Sequence, residues 1–228
     1  MESKIYLRKL IIVSFSILLL IYSGCKKEEN ENSIVKDPDG NVYSVITIGE
    51  QTWLAENLKT TFFNDGIPIL QITDTTLWKN TLSPACCLYN NDSVNIDKYG
   101  VLYNWYAVNT KKLCPKGWHI PSDNEWTVLS DNLGGEDIAG GKLKETGTIH
   151  WNSPNSDATD ESHFTGLPGG FRGPDGYYYD LGDYGNWWSS TTYSDYQAWC
   201  RWLSYNDAIL GRSYYSKPSG FSVRCIKD

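Results

Sequence analysis

The most constraining feature of this chain is an uncharged run of thirteen residues, Leu10 to Tyr22, just behind Lys4, Arg8 and Lys9. Crossing about 30 Å of hydrocarbon takes about 20 apolar residues, so the run is too short to span a bilayer. A basic start, a short apolar stretch and the small residues Ser23 and Gly24 read as an export leader, which takes no part in the fold. Whatever follows folds outside the cytoplasm, where thiols oxidise and cysteines are read as staples.

Ser23-Gly24-Cys25 resembles the bacterial lipobox, whose cysteine is acylated and becomes the first mature residue. Tyr22 departs from the aliphatic residue usual three positions before that cysteine. The resemblance implies a signal peptide over 1–24, palmitate-type lipidation at Cys25, and a lipid anchor holding an outer-membrane lipoprotein on the periplasmic face or the cell surface. Residues 25–34 form the lipidated cysteine and a tether. Lys26 to Ser33 contains no apolar residue, so it cannot bury surface. Its Lys-then-acidic order looks like the surface-export signal of Bacteroidetes lipoproteins, and a plain spacer is the other reading. Without the leader's three basic residues and one acidic residue, the charged residues fall from 20 and 27 to 17 and 26, a net of −9. An acidic chain lacks the basic footprint that nucleic acid demands.

Residues 35–228 suffice for one domain. They are rich in Gly, Asn, Asp and Ser, and the chain holds 10 Trp and 16 Tyr against one Met, a composition for a loop-rich exported fold. Val35 to Tyr43 reads as a hairpin turning at Asp39-Gly40, Val42 to Ile48 as a strand, and Trp53 to Leu58 as a short core segment, helical or extended. Residues 59–98 lack a period and read as a long loop pinned by a disulfide. Leu102 to Val108 suggests a short buried helix. The best helix runs over 122–133: Ser122 and Glu125 form a capping box, Trp126, Leu129 and Leu133 share a face, and Gly134-Gly135 ends it. Ile138 to Thr146 reads as a second, shorter helix. Beyond His163 come short strands between Gly-rich turns: Phe164 to Leu167, Trp187 to Thr191, Gln197 to Ser204 and Phe221 to Ile226. Helices ahead of strands give α+β.

The strings VxDPDGNVYxVxxIGxQTWLAENL, YGVLYNWYAV, CPKGWHIPSDNEWTVL, LPGGFR, WWSST and GFSVRCIKD follow in that order. They resemble the Fibrobacter succinogenes major paralogous domain of Bacteroidetes lipoproteins, from about Val35 to Asp228. That family carries no established activity. A cysteine, a capped helix with Glu and Trp, and a Trp/Cys hairpin closing on a cysteine are also similar to C-type lectin-like domains and to formylglycine-generating enzymes on the same scaffold. The lectin-like pattern implies an irregular antiparallel sheet and a bridge from Cys114 to Cys225. With five cysteines besides Cys25, arithmetic then pairs Cys200 with Cys86 or Cys87 and leaves the other free.

Catalytic sets are poor. His119, between Trp118 and Ile120, reads as structural. The formylglycine chemistry needs two catalytic cysteines, and only Cys200 is left for it, which makes a Cys200-dependent modifying enzyme the alternative reading. No lectin calcium string occurs. Asp175, Asp180 and Asp183, or Asp157, Asp160 and Glu161, offer oxygen ligands that suit calcium but read first as solvated turns. No other cofactor is expected. The remaining candidates are aromatic: Tyr177-Tyr178-Tyr179, Trp187-Trp188, Tyr193, Tyr196 and Tyr214-Tyr215. Flat rings with polar tips suit a glycan or protein ligand, whereas Trp187, Trp188, Trp199 and Trp202 read first as core. The expectation is a non-enzymatic binding module, with a purely structural envelope protein as a third reading.

Overall fold

A computed structural model describes residues 34–228. The leader, Cys25 and the tether up to residue 33 lie outside the described residues. The first described ribbon pairs β1 (Val35–Lys36) with β2 (Val42–Tyr43), antiparallel. Its turn places Gly40 at φ +85°, and the Asp37 carboxylate accepts from the Asn41 amide at 2.9 Å. The hairpin read from Asp39-Gly40 is therefore present. The strand expected over 42–48 is broken at Ser44, after which β3 (Val45–Ile48) pairs with β4 (Gln51–Leu54).

The region read as one long loop holds β5 (Leu70–Gln71), α1 (Thr75–Asn80), β6 (Ala85–Cys87) and α2 (Asn95–Tyr99). These elements are too short to leave a period in the sequence. α1 is capped by Asp74, which accepts from the Leu77 amide at 2.8 Å. The expected helix at 102–108 splits into β7 (Leu102–Asn104) and α3 (Trp105–Asn109), because the Asn104 side chain caps the Ala107 amide and starts the helix late.

β8 (Trp118–His119) leads into α4 (Asp123–Asn132), whose capping box is formed: Ser122 Oγ accepts from Glu125, and the Glu125 carboxylate accepts from the Ser122 amide at 2.7 Å. α5 (Glu136–Leu143) keeps Gly140 and Gly141 for close approach. A Cβ at Gly140 would sit 2.3 Å from the Ile209 carbonyl oxygen, so the glycine pair seats the helix against a loop.

The remaining strands are β9 (Gly169–Arg172), β10 (Tyr178–Leu181), β11 (Tyr184–Thr192), β12 (Gln197–Ser204), β13 (Gly211–Ser216), β14 (Gly220–Phe221) and β15 (Ile226–Lys227). A nine-stranded sheet runs β13-β12-β11-β9-β14-β7-β6-β5 with β10 on β9, and a four-stranded one runs β3-β4-β15-β8. The fold is α+β. Phe164 to Leu167 makes only an isolated bridge at Gly166 instead of a strand.

The terminal segment joins the sheets: β14 inserts between β9 and β7, and β15 between β4 and β8. Cys225, between them, is bonded to Cys114 across 111 residues, with the Cα atoms 6.0 Å apart. The second bridge is corrected. Among the described residues Cys86, Cys87 and Cys200 form no bridge, and all three are buried. β12, which carries Cys200, has β11, β9, β14 and β7 between it and β6. At about 4.8 Å per strand step that is far beyond disulfide reach.

Trp53, Trp126, Trp187 and Phe164 form one buried aromatic cluster, with the Trp53 and Trp126 ring centres 5.0 Å apart. A second core holds Trp188, Phe221, Tyr103 and the disulfide. Among the described residues no helix is long and apolar enough to cross a membrane.

Candidate functional site

The run GPDGYYYDLGDYG builds a β9–β10 hairpin. Asp175 Oδ1 accepts from the Tyr177 amide at 3.2 Å, Gly176 takes φ +90°, and the Gly173 amide meets the Tyr177 carbonyl at 2.7 Å. Alternation along β10 then sorts the three tyrosines. Tyr178 turns inward over the Arg172 guanidinium, 4.9 Å from it, and its hydroxyl donates to Asn91 at 2.8 Å. Tyr177 and Tyr179 turn out to solvent.

Tyr179 stacks on Phe171 of β9 with ring centres 5.3 Å apart, and Tyr215 of β13 meets the same Phe171 edge-on at 5.5 Å. These rings, with Gly173, Pro174, Asp175 and Asp180, line an open cleft of about 280 Å³. Tyr179 is 38% exposed and Tyr215 36%.

Two carboxylates flank the rings differently. Asp175 Oδ2 accepts from the Tyr179 hydroxyl at 2.6 Å, and that bond leads the contacts that hold its pKa below the ordinary value. Asp180 makes no side-chain hydrogen bond among the described residues. Partial burial, then the charge of Asp183, push its pKa up. Its backbone is left-handed at φ +62°, and so is Gly170, across the hairpin, at φ +60°. Asp and Asn visit this conformation more readily than other side-chain-bearing residues, but in a strand it is a local strain, of the kind that re-aims a side chain. The opposed pair interrupts the β9–β10 ladder, which skips these two residues.

Other expectations fare differently. Trp187 and Trp188 are fully buried and present no ligand surface. β11 is a central strand, and their indole N–H groups donate to Asn57 Oδ1 and the Tyr103 carbonyl, each at 2.8 Å. Trp199 is half-buried, edge-on to the stacked pair of Tyr193 and Tyr214, with the Arg212 guanidinium 3.6 Å above its ring. The calcium candidates do not converge: among the described residues no three acidic, histidine or cysteine side chains form a metal-holding group. Asp183 accepts from Asn152 at 2.8 Å, Asp160 accepts from Thr165, and Glu161 faces Lys142. Cys200 is enclosed, its thiol pushed up to about 12 by burial and donating to the Ser213 carbonyl at 3.4 Å. A thiol so protonated is a poor nucleophile at neutral pH.

A larger hollow of about 360 Å³ is lined by Glu56, Lys59, His150 and Arg224, among others. Its one fully buried charge is already engaged: Arg224 donates to Asn57 Oδ1 and to the carbonyls of Leu54, Ala55 and Phe164. Lys144 is likewise buried and bonded to the carbonyls of Ser156, Ser204 and Asp207. Sequence reading missed these cations because Arg and Lys are ordinarily surface residues.

His119 is not buried with its apolar neighbours: its side chain is 40% exposed and bridges two carboxylates. Nε2 lies 2.8 Å from Glu125 and Nδ1 2.7 Å from Asp228, which clasps the chain end to the capping box. Burial alone would lower its pKa, but the two carboxylates outweigh it and raise the value above 6.5. Glu125 moves the other way: burial raises it, and hydrogen bonds from Ser122 and His119 bring it below 4.5. A raised histidine contributes stability that is complete below its unfolded pKa and lost as pH rises through the folded one. A lowered carboxylate contributes stability present above its unfolded pKa and lost as pH falls through the folded one. The clasp is therefore strongest between pH 4.5 and 6.5. Denaturant unfolding of wild type and His119→Gln across pH should show the wild-type advantage shrinking on the alkaline side. An advantage flat with pH would refute the clasp.

The sequence model of the family described as the Fibrobacter succinogenes major domain matches residues 46–227. No curated protein and no solved structure matches the chain. The match spans β3 to β15, including the capped α4, the cleft hairpin and the disulfide. The chain belongs to the Fibrobacter succinogenes major domain family.

Proposed function

We propose that this protein is a non-enzymatic binding module, held to the outer membrane by a lipid on Cys25 and facing the periplasm or the exterior, that recognises a glycan or protein ligand. The observation that carries the reading is the Phe171–Tyr179–Tyr215 cleft. Ring surface left half-exposed beside free carboxylate oxygens is what recognition surfaces use and what folding alone would bury. The fold is read as C-type lectin-like, supported by a bridge from the segment before the capped helix to the segment between the last two strands. The Cys200 enzyme reading draws no support from a buried thiol with a raised pKa.

Glycan-array and pull-down screens of the full chain, run beside Tyr179→Ala, test the proposal. A ligand lost about tenfold or more in the variant is expected, the scale of one stacking or charged contact. A ligand bound equally by both, or turnover of a substrate with no binding at the cleft, sinks it.

A further inference from the structure

Resting on the reading of the cleft as the ligand site, we propose that what it recognises is an organic ammonium group, a compact cation carried by the ligand. Three observations carry this. The residues lining the cleft include two carboxylates, Asp175 and Asp180, and no basic side chain. Lys79 is near enough to act on Asp175 but does not line the space. An anionic ligand would meet uncompensated like charge there, and in a chain whose mature portion is strongly acidic.

Ring orientation points the same way. Tyr179 lies nearly parallel to Phe171, at 30°, while Tyr215 stands at 75° to it. The exposed tyrosines thus form two walls of a corner rather than one flat platform. Rings set at an angle to one another around one cleft suit an ammonium, which is attracted to the negative face of an aromatic ring.

Asp180 is the third observation. Its neighbour Asp175 is fixed by the Tyr179 hydroxyl at 2.6 Å and the Tyr177 amide at 3.2 Å. Asp180 has no such partner among the described residues, has the charge of Asp183 near it, and lines the cleft from a left-handed backbone. An unpaired carboxylate beside a like charge is stabilised by an incoming cation, and a neutral hydroxyl would relieve it far less.

Matched probe pairs separate charge from shape. Choline and its uncharged isostere 3,3-dimethylbutanol are titrated calorimetrically into the full chain in a polyoxyethylene detergent, followed by glucosamine and N-acetylglucosamine. Choline should bind at least about tenfold more tightly than the isostere, and glucosamine more tightly than its acetylated form. Which charged member binds more tightly tells a methylated ammonium from an amino sugar. Asp180→Asn, which keeps a residue tolerant of positive φ, should weaken choline about tenfold or more, the scale of a lost charged contact. Tyr179→Phe keeps the ring and should retain binding, while Tyr179→Ala loses it.

Equal affinity within either pair, choline binding unchanged in Asp180→Asn and Tyr179→Ala, or no binding of any probe overturns the ammonium assignment. A Tyr179-dependent, uncharged ligand from the broader screen would remove this assignment and leave the binding-module reading standing. A screen without any Tyr179-dependent ligand removes both.

Discussion

Cys114→Ser should lower the unfolding free energy by about 2–5 kcal/mol. The bridge closes a loop of 111 residues, for which the chain-entropy contribution is about 4–5 kcal/mol. Both sulfurs are buried, so a serine there also hides a hydroxyl. Cys225→Ser should cost a similar amount, and the double variant little more than either single, because both remove one link. Urea unfolding without reductant checks this, and reductant should then affect only the wild type strongly. Additive single costs, or thiol mapping that finds Cys114 and Cys225 free, would refute the closure.

Arg224→Met should destabilise the fold by about 3–5 kcal/mol, through several buried acceptors each worth about 1–3 kcal/mol when left unsatisfied. Burial pulls the Arg224 pKa down to about 9, with Glu56 and Asp160 acting in the other direction at a distance. The ring of Phe164 lies 4.0 Å from the guanidinium carbon. Replacing a buried ion pair by apolar side chains is often harmless, but here the partners beside Asn57 Oδ1 are main-chain carbonyls that no substitution removes. Arg224→Lys should recover only part of the loss, since a point ammonium cannot reach Leu54, Ala55, Asn57 and Phe164 together. A loss below about 1 kcal/mol in Arg224→Met, measured by denaturant unfolding, would show that water replaces the guanidinium.

What the sequence made legible was local. Ser122 and Glu125 specify the start of α4 within one turn, and Asp39-Gly40 specifies the first hairpin. The Cys114–Cys225 bridge was implied by the lectin-like resemblance. β6 and β7 were not legible, because strands of three residues exist only through partners distant in the chain. The same gap misplaced the cysteines: adjacent Cys86 and Cys87 point to opposite sides of β6, Cys87 into another cluster and Cys86 into the one that holds Cys200, from which four intervening strands separate it.

The cleft was half legible. Tyr179, Asp175 and Asp180 stand in one run, whereas Phe171 and Tyr215 arrive by sheet pairing. Trp187 and Trp188 carried the same aromatic signal as the tyrosines, and only the central position of β11 separates core from surface.

The cation-to-carbonyl contacts of Lys144, Arg172 and Arg224 give this fold an asymmetry of replaceability. Arg172 donates to the carbonyls of Gly176, Ile72 and Thr73, as the other two donate to theirs. A backbone carbonyl belongs to every residue type, so the acceptor positions, where nothing else fixes them, are free to drift without losing a bond. The three long cationic side chains are held to their identity, and with them Asn57, whose side-chain oxygen accepts from Arg224. A small set of fixed residues can thus anchor loops with few demands on the loops' own side chains.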